Sequence, residues 1–156
     1  MRKNSGFTAF ELAVSLAIMV IIAALVLPPY LKWLRGHRLR GAVANLMADL
    51  EMAKIRAIRE NAMIAIQFCQ DRYTIFNENG DTNYTCGTAG REVYRNRKLP
   101  AGVEIDMGAL SFANDRTRFN GRGLPDGITT VQIIPVKNKS SGKEISVNRL
   151  GYMKLQ

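Results

Sequence analysis

A single carboxylate, Glu11, stands in an otherwise uncharged stretch of 25 residues that runs from Phe7 to Leu31. A charged side chain near the start of a membrane helix costs about 2 to 3 kcal/mol unless it has a partner. Glu11 can therefore form one half of an ion pair between helices. It can equally lie at the membrane interface, where the positive end of the helix dipole favours a negative charge. Position alone leaves both interpretations open.

The other chemically interesting side chains do not form a catalytic set. Cys69 and Cys86 are too far apart in the sequence for a CxxC redox motif or a zinc half-site. His37 is the one histidine, and the glycine-rich segment 121–127 lacks the pattern of a phosphate-binding loop. Six scattered acids lack the spacing of a calcium loop: Asp71, Glu78, Asp81, Glu104, Asp106 and Asp115. The sequence therefore predicts no enzyme, no cofactor and no metal site.

Two groups of basic residues indicate anionic partners. Arg91, Arg95, Arg97 and Lys98 cluster around Tyr94 in a segment that we expect to be a loop. Such a cluster can contact the phosphate backbone of DNA, or it can be a solvated basic face that acidic neighbours balance. A second group follows the apolar stretch, where anionic lipid headgroups would lie: Lys32, Arg35, Arg38 and Arg40.

The elements that position these residues begin with an apolar anchor. The chain has 156 residues, and its 22 basic and 13 acidic side chains give a net charge of +9. The composition is close to that of globular proteins and excludes a disordered chain or a polytopic membrane protein. The stretch from Phe7 to Leu31 is long enough to cross about 30 Å of hydrocarbon as a helix. Pro28 and Pro29 predict a break in that helix.

The rest of the chain predicts an α+β body. Apolar residues recur at three- and four-residue steps from Leu39 to Ala57, which predicts an amphipathic helix ending near Asn61. Ile55 and Ile58 predict that its buried face is broad. Alternating patterns then predict strands: Ile64 to Phe68, Tyr73 to Ile75, Val103 to Met107, Arg118 to Phe119, Thr130 to Val136, Glu144 to Val147 and Tyr152 to Leu155. A hairpin loop is expected at residues 137–143, and short strands after one helix favour an antiparallel sheet.

The block GFTAFE from Gly6 to Glu11, behind a short basic leader, resembles the processing signal of type IV pilins and type II secretion pseudopilins. The resemblance implies that a membrane-embedded prepilin peptidase cuts after Gly6 and that the new amine on Phe7 is methylated. It also implies that Glu11 neutralises the amino terminus of a neighbouring subunit in the core of a filament. The helix break at Pro28 is a further point of resemblance.

The body resembles that of GspH/FimT/FimU-type minor pilins and pseudopilins, in which a long helix leads into antiparallel sheets. The likeness rests on the segments FNGRG at 119–123 and ISVNRLG at 145–151. It implies a disulfide between Cys69 and Cys86, because members of the family often carry a cysteine pair in these places. It also implies three parts of the chain: a leader (1–6), a transmembrane and filament-core helix (7–31), and an amphipathic helix with a periplasmic β-rich domain (32–156).

The resemblance implies an assembly subunit. Such a subunit is anchored once in the inner membrane, holds its body in the periplasm, and stands at or near the tip of a type II secretion pseudopilus or a type IV pilus. It supports protein secretion or pilus assembly, and its partners are other pilin subunits, the prepilin peptidase and inner-membrane lipid. The alternative is a FimT-like DNA receptor for natural transformation. The ending GYMKLQ lacks the arginines on which that alternative depends.

Overall fold

The computed structural model describes residues 8–78, 86, 93–127 and 131–156. Its first element, α1, is a helix of 52 residues from Ala9 to Glu60. Contacts within the chain divide the protein into two units, one ending at Leu34 and one from Arg35 to Gln156. Helix α1 supplies the first unit and the start of the second.

Pro28 and Pro29 lie inside α1, and the backbone stays helical through both. The prediction that the helix is interrupted at these prolines is therefore wrong. Proline fixes φ close to the helical value, but inside a helix it removes a hydrogen bond and its ring crowds the carbonyl four residues earlier, at a cost of about 3 kcal/mol or more. The helix nevertheless continues through both residues. Only two consecutive amide donors are lost, those that would reach the carbonyls of Ala24 and Leu25. The ladder on either side keeps the backbone helical.

In the second unit α1 buries one apolar row against the rest of the body. The row consists of Leu39, Ala42, Val43, Leu46, Leu50, Ala53 and Ala57, all nearly inaccessible to solvent. This stripe confirms the expected amphipathic helix. The broad buried face is wrong, because Ile55 and Ile58 remain 53% and 49% exposed. At about 100° per residue they project roughly 160° and 100° away from the row.

Among the described residues, eight strands follow α1. They are β1 (Ile64–Phe68), β2 (Arg72–Asn77), β3 (Val93–Lys98), β4 (Val103–Ile105), β5 (Arg116–Phe119), β6 (Gln132–Asn138), β7 (Gly142–Val147) and β8 (Met153–Leu155). They form two four-stranded sheets, in the orders β3-β2-β1-β5 and β4-β6-β7-β8. Every neighbouring pair is antiparallel. The α+β class with antiparallel sheets is thus confirmed.

Both sheets contribute to one hydrophobic core with the apolar row of α1. The first sheet supplies alternate residues such as Ile64, Ile66 and Phe68, and the second supplies residues such as Ile134 and Ile145. All five are fully buried. The alternation arises because successive side chains of a strand point to opposite faces of a sheet.

Two local expectations need correction. Strand β3 occupies the segment that we expected to be a loop. We expected a loop because the sequence VYRNRK lacks the apolar alternation of a half-buried strand. The connection between β6 and β7 spans only residues 139–141, whereas the expected hairpin loop began at Lys137 and ended at Lys143. Thr130, the first residue of one expected strand, lies outside the described residues.

The turn before β8 packs directly on α1. Lys54 donates a hydrogen bond from Nζ to the carbonyl oxygen of Gly151 at 2.9 Å. Gly151 has a φ of +73°, and a Cβ atom at this position would lie 2.9 Å from the carbonyl oxygen of Gly123. Glycine is needed here for two reasons, the left-handed backbone and the close carbonyl.

Replacing Gly151 by alanine should lower the free energy of unfolding of the body by about 2 kcal/mol or more, because strain and a backbone clash add together. Gly102→Ala is the matched control, since Gly102 also has a positive φ of +82° but has open space around it. The control should lose only about 1 kcal/mol. Thermal unfolding of the full chain in detergent, followed by near-ultraviolet circular dichroism, measures both. Equal losses would show that the contact with Gly123 has no effect.

Candidate functional site

The apolar segment of α1, from Ala9 to Leu34, exposes its side chains on every face. Leu25, Val20 and Trp33 are 73%, 68% and 56% exposed. Helix α1 is long and apolar enough to cross a membrane. The 26 residues of the apolar segment extend about 39 Å, more than the roughly 30 Å of a hydrocarbon core. Such a surface requires lipid tails or other apolar helices around it.

Glu11 caps the first turn of its own helix. The amide of Glu11 donates to Thr8 Oγ1 at 3.2 Å, and the amide of Thr8 donates to Glu11 Oε2 at 3.2 Å. The Thr8 hydroxyl also donates to Oε2, at 3.0 Å. This reciprocal arrangement is a capping box, which satisfies backbone donors at the helix start. The carboxylate thus lies where the helix dipole favours a negative charge.

The cleavage and methylation positions lie outside the described residues. Gly6 and Phe7 immediately precede the first described residue, Thr8. Processing between them stays a prediction from the sequence.

A buried ion-pair cluster joins α1 to the first sheet. Asp49 is 3% exposed and accepts hydrogen bonds from Arg95 Nη1 to Oδ1 at 2.7 Å and from Arg97 Nε to Oδ2 at 2.8 Å. The Tyr73 hydroxyl donates to Oδ2 at 2.7 Å. Burial and this acceptor raise the pKa of Tyr73, so the phenol keeps its proton and remains a donor. Neighbouring strands β2 and β3 are thereby tied to one carboxylate on α1.

The position of Asp49 in the sequence indicates a buried ion pair that the sequence analysis did not predict. Asp49 lies between Leu46 and Leu50 on the buried side of α1, where the other members of the row are apolar. A buried carboxylate requires cationic or hydrogen-bonding partners. This position indicates a partner for Asp49, although it does not identify which arginines provide it.

The basic residues that suggested DNA binding have different surroundings in the structure. Arg95 and Arg97 lie in β3 and direct their charge to Asp49, with side chains 44% and 33% exposed. Lys98 is exposed at the end of β3, and Arg91 lies outside the described residues. Two of the four residues therefore have an internal anionic partner, and the geometry does not favour a DNA-binding face.

A second buried carboxylate holds the outer side of the first sheet. Glu78 is 4% exposed and pairs with Arg116 Nη1 at 2.8 Å and with Arg118 Nη1 at 3.5 Å. Arg116 Nε also donates to Gln67 Oε1 at 3.0 Å. These contacts connect β5 to β1 and to the residue that follows β2.

Cys69 and Cys86 form a disulfide, with their Cα atoms 5.8 Å apart. The pairing implied by the family resemblance is thus confirmed. The bridge closes a segment of 17 positions, which is worth about 3 kcal/mol in the chain-entropy model. It fixes Cys86 to the end of β1.

No arrangement for metal-dependent chemistry emerges among the described residues, because no three His, Cys, Asp or Glu side chains are grouped to hold a metal ion there. A shallow groove of about 550 Å³ lies on the second sheet beside Asp106, Lys137 and Glu144. Lys137 Nζ donates to Asp106 Oδ2 at 2.6 Å. This bond lowers the pKa of the Asp106 carboxyl and raises the pKa of Lys137, so both stay charged near neutral pH.

Comparison with known proteins identifies both a family and a fold. A family model described as Type II transport protein GspH matches residues 42–151. The crystal structure of the type IV minor pilin FimU of Pseudomonas aeruginosa in one crystal form has a TM-score of 0.60 and 16% identity, over 80% of this chain and 92% of that chain. The structure of FimU in another crystal form has a TM-score of 0.57 and 15% identity, over 75% of this chain and 91% of that chain.

A pseudopilin structure shares the same fold. The minor pseudopilin EpsH from the Type 2 Secretion System of Vibrio cholerae has a TM-score of 0.55 and 12% identity, over 75% of this chain and 94% of that chain. A comparison with curated proteins gives no significant match.

Replacing Asp49 by alanine should destabilise the body by about 2 to 3 kcal/mol, because the buried Tyr73 hydroxyl loses its acceptor while Arg95 and Arg97, which are 44% and 33% exposed, can turn to solvent. Asp71→Ala is the control, since Asp71 pairs with Arg72 at the surface, with 51% of its side chain exposed. That variant should lose no more than about 1 kcal/mol. Thermal unfolding of the two full-length variants in detergent gives the comparison. A loss for Asp49→Ala as small as that of the control would contradict a structural role for the cluster.

Proposed function

We propose that this chain is a structural subunit of a type II secretion pseudopilus or a type IV pilus. The proposal rests on its family, because the chain belongs to the GspH family over residues 42–151. In this role it is a minor component, at or near the filament tip, that supports protein secretion or pilus assembly. Its partners are other pilin or pseudopilin subunits. Its proposed function is assembly rather than catalysis.

The observation that carries the proposal is the uncovered apolar segment from Ala9 to Leu34. Before assembly, lipid tails surround this segment as a single membrane span. In the filament, the same segments of neighbouring subunits replace the lipid, so the apolar surface stays out of water in both states. Exposed apolar side chains lie on every side of this segment, with the charged Glu11 and Lys32 near its two ends, and this suits the exchange.

Glu11 supplies the charge that selects a partner. Both contacts from Thr8 use Oε2, and Oε1 makes no hydrogen bond with the described residues. Processing after Gly6 would give Phe7 a protonated amine. In the filament core Oε1 accepts a charge-assisted hydrogen bond from the amine of a neighbouring Phe7, while Oε2 keeps the cap. The interfacial interpretation and the pairing interpretation of Glu11 thus describe two states of one carboxylate.

The disulfide supports the proposed location. A bond between Cys69 and Cys86 persists in an oxidising compartment such as the periplasm and is rare in the cytosol. We therefore place the anchor in the inner membrane and the body from Arg35 onward in the periplasm. The basic leader stays on the cytoplasmic side, where the prepilin peptidase removes it.

Expression with a prepilin peptidase should yield a chain that begins at methylated Phe7, as measured by intact mass and amino-terminal sequencing. Replacing Gly6 by leucine should leave the chain uncut, because a side chain would enter a cleavage site that accepts glycine. Gly41→Ala is the control, since a Cβ atom at Gly41 meets nothing within 4 Å and leaves the cleavage site unchanged.

The control should be cut and methylated like the unaltered chain. A product that still begins at Met1 in the presence of active peptidase would contradict the proposal.

A further inference from the structure

The turn between β6 and β7 is fastened to α1 at Arg35, the first residue of the second unit. Asn138 donates from Nδ2 to the carbonyl oxygen of Arg35 at 3.1 Å. The other side-chain atom, Oδ1, accepts the amides of Ser140 and Ser141 at 2.8 Å each. One side chain therefore shapes the turn and holds it beside the start of the body.

Three exposed basic residues belong to the elements that meet here. Arg35 and Arg38 are exposed on α1, and Lys139 is exposed at the tip of the turn. Arg38 Nη1 donates to the carbonyl oxygen of Ala101 at 3.5 Å, next to β4, whose first residue Val103 pairs with Asn138. We call Arg35, Arg38 and Lys139 the basic end.

The charges of the basic end are not neutralised within the described part of the chain. None of the ion pairs found there includes Arg35, Arg38 or Lys139. Arg95 and Arg97 differ in this respect, because they pair with a buried carboxylate. The basic end thus presents net positive charge to whatever faces it.

The sequence places this charge beside the membrane. Arg35 directly follows Leu34, the last residue of the apolar segment. That segment extends about 39 Å, so its final turns exceed the roughly 30 Å hydrocarbon core and reach headgroup level. Tyr30 and Trp33, whose rings are 6.0 Å apart, are the residue types that favour this interface. The phosphates of anionic lipids lie at the same level.

We propose that the basic end binds the phosphate groups of anionic phospholipids, and that Asn138 holds Lys139 in place for this contact. The inference rests on the membrane anchoring in the proposed function and adds a lipid-binding surface on the folded body. Lipid is the partner favoured by the observations, because the charge directly follows the span and the tip of the turn is small and polar. Anionic lipid retains the subunit before assembly, and leaving the membrane for the filament requires release of these contacts.

The test uses the full chain in nanodiscs of phosphatidylcholine alone or of phosphatidylcholine with phosphatidylglycerol. Hydrogen exchange measured by mass spectrometry reports on the amides of residues 138–142. We expect exchange to be about fivefold slower with phosphatidylglycerol, the factor that corresponds to about 1 kcal/mol for a basic residue at an anionic surface. Raising the salt concentration should remove the difference, because these charges are exposed.

Lys139→Glu should remove the difference between the two lipids while leaving exchange in phosphatidylcholine unchanged, which shows that the turn still folds. Arg149→Glu makes the same change of charge beyond the opposite end of β7, whose six residues span about 17 Å. Arg149 is also exposed. This control should retain the full fivefold difference.

The outcomes separate this inference from the proposed function. A chain that does not enter either nanodisc would contradict the membrane anchor and this inference with it. A chain that enters both, with identical exchange at residues 138–142, would overturn lipid binding and leave the anchor intact. Protection that appears only after another filament subunit is added would also overturn it, because the basic end would then bind protein.

Discussion

The apolar row on α1, from Leu39 to Ala57, is the surface on which both sheets pack, and the rest of the body depends on its burial. Small residues such as Ala53 and Ala57 are fully buried in this core. Asp49 interrupts this apolar surface with a carboxylate that accepts hydrogen bonds from Arg95, Arg97 and Tyr73. The hydrophobic contacts therefore set how close the first sheet comes, and the carboxylate determines which strands lie over that part of α1. A buried charge with several partners adds specificity because few other arrangements would satisfy it.

The amino-terminal part of α1 has the opposite property, since none of its apolar faces is covered. Helix α1 thus has two segments with different requirements. The first segment must be surrounded by lipid or by other helices, whereas the apolar row of the second is already buried against the two sheets. The transition occurs near Leu34 and Arg35, shortly after Lys32, where basic residues begin. The two prolines do not mark it, because the helix passes through Pro28 and Pro29 with the loss of only two hydrogen bonds.

Periodicity predicted the elements that bury apolar side chains, including the row on α1 and strands such as β1, where Ile64, Ile66 and Phe68 alternate. It did not predict β3, because in that strand the residues facing α1 are Arg95 and Arg97 rather than aliphatic side chains. Those positions become interpretable only when Asp49 is known to lie opposite them, which is tertiary information. The same limit explains why an arginine cluster in the sequence resembled a nucleic-acid surface, although two of its members neutralise the body's own carboxylate.

We propose that the charge of Glu11 selects neighbouring subunits during assembly, and Glu11→Gln tests this role most directly. Glutamine retains the capping box with Thr8 and removes only the charge. Glu51→Gln makes the same change in the body portion of α1. Cross-linking to other filament subunits in cells, normalised to processed chain in the membrane, gives the readout. We expect Glu11→Gln to be processed and inserted normally but to cross-link about tenfold less, the effect of losing about 1.4 kcal/mol. Glu51→Gln should cross-link like the unaltered chain. Normal cross-linking by Glu11→Gln would contradict the account.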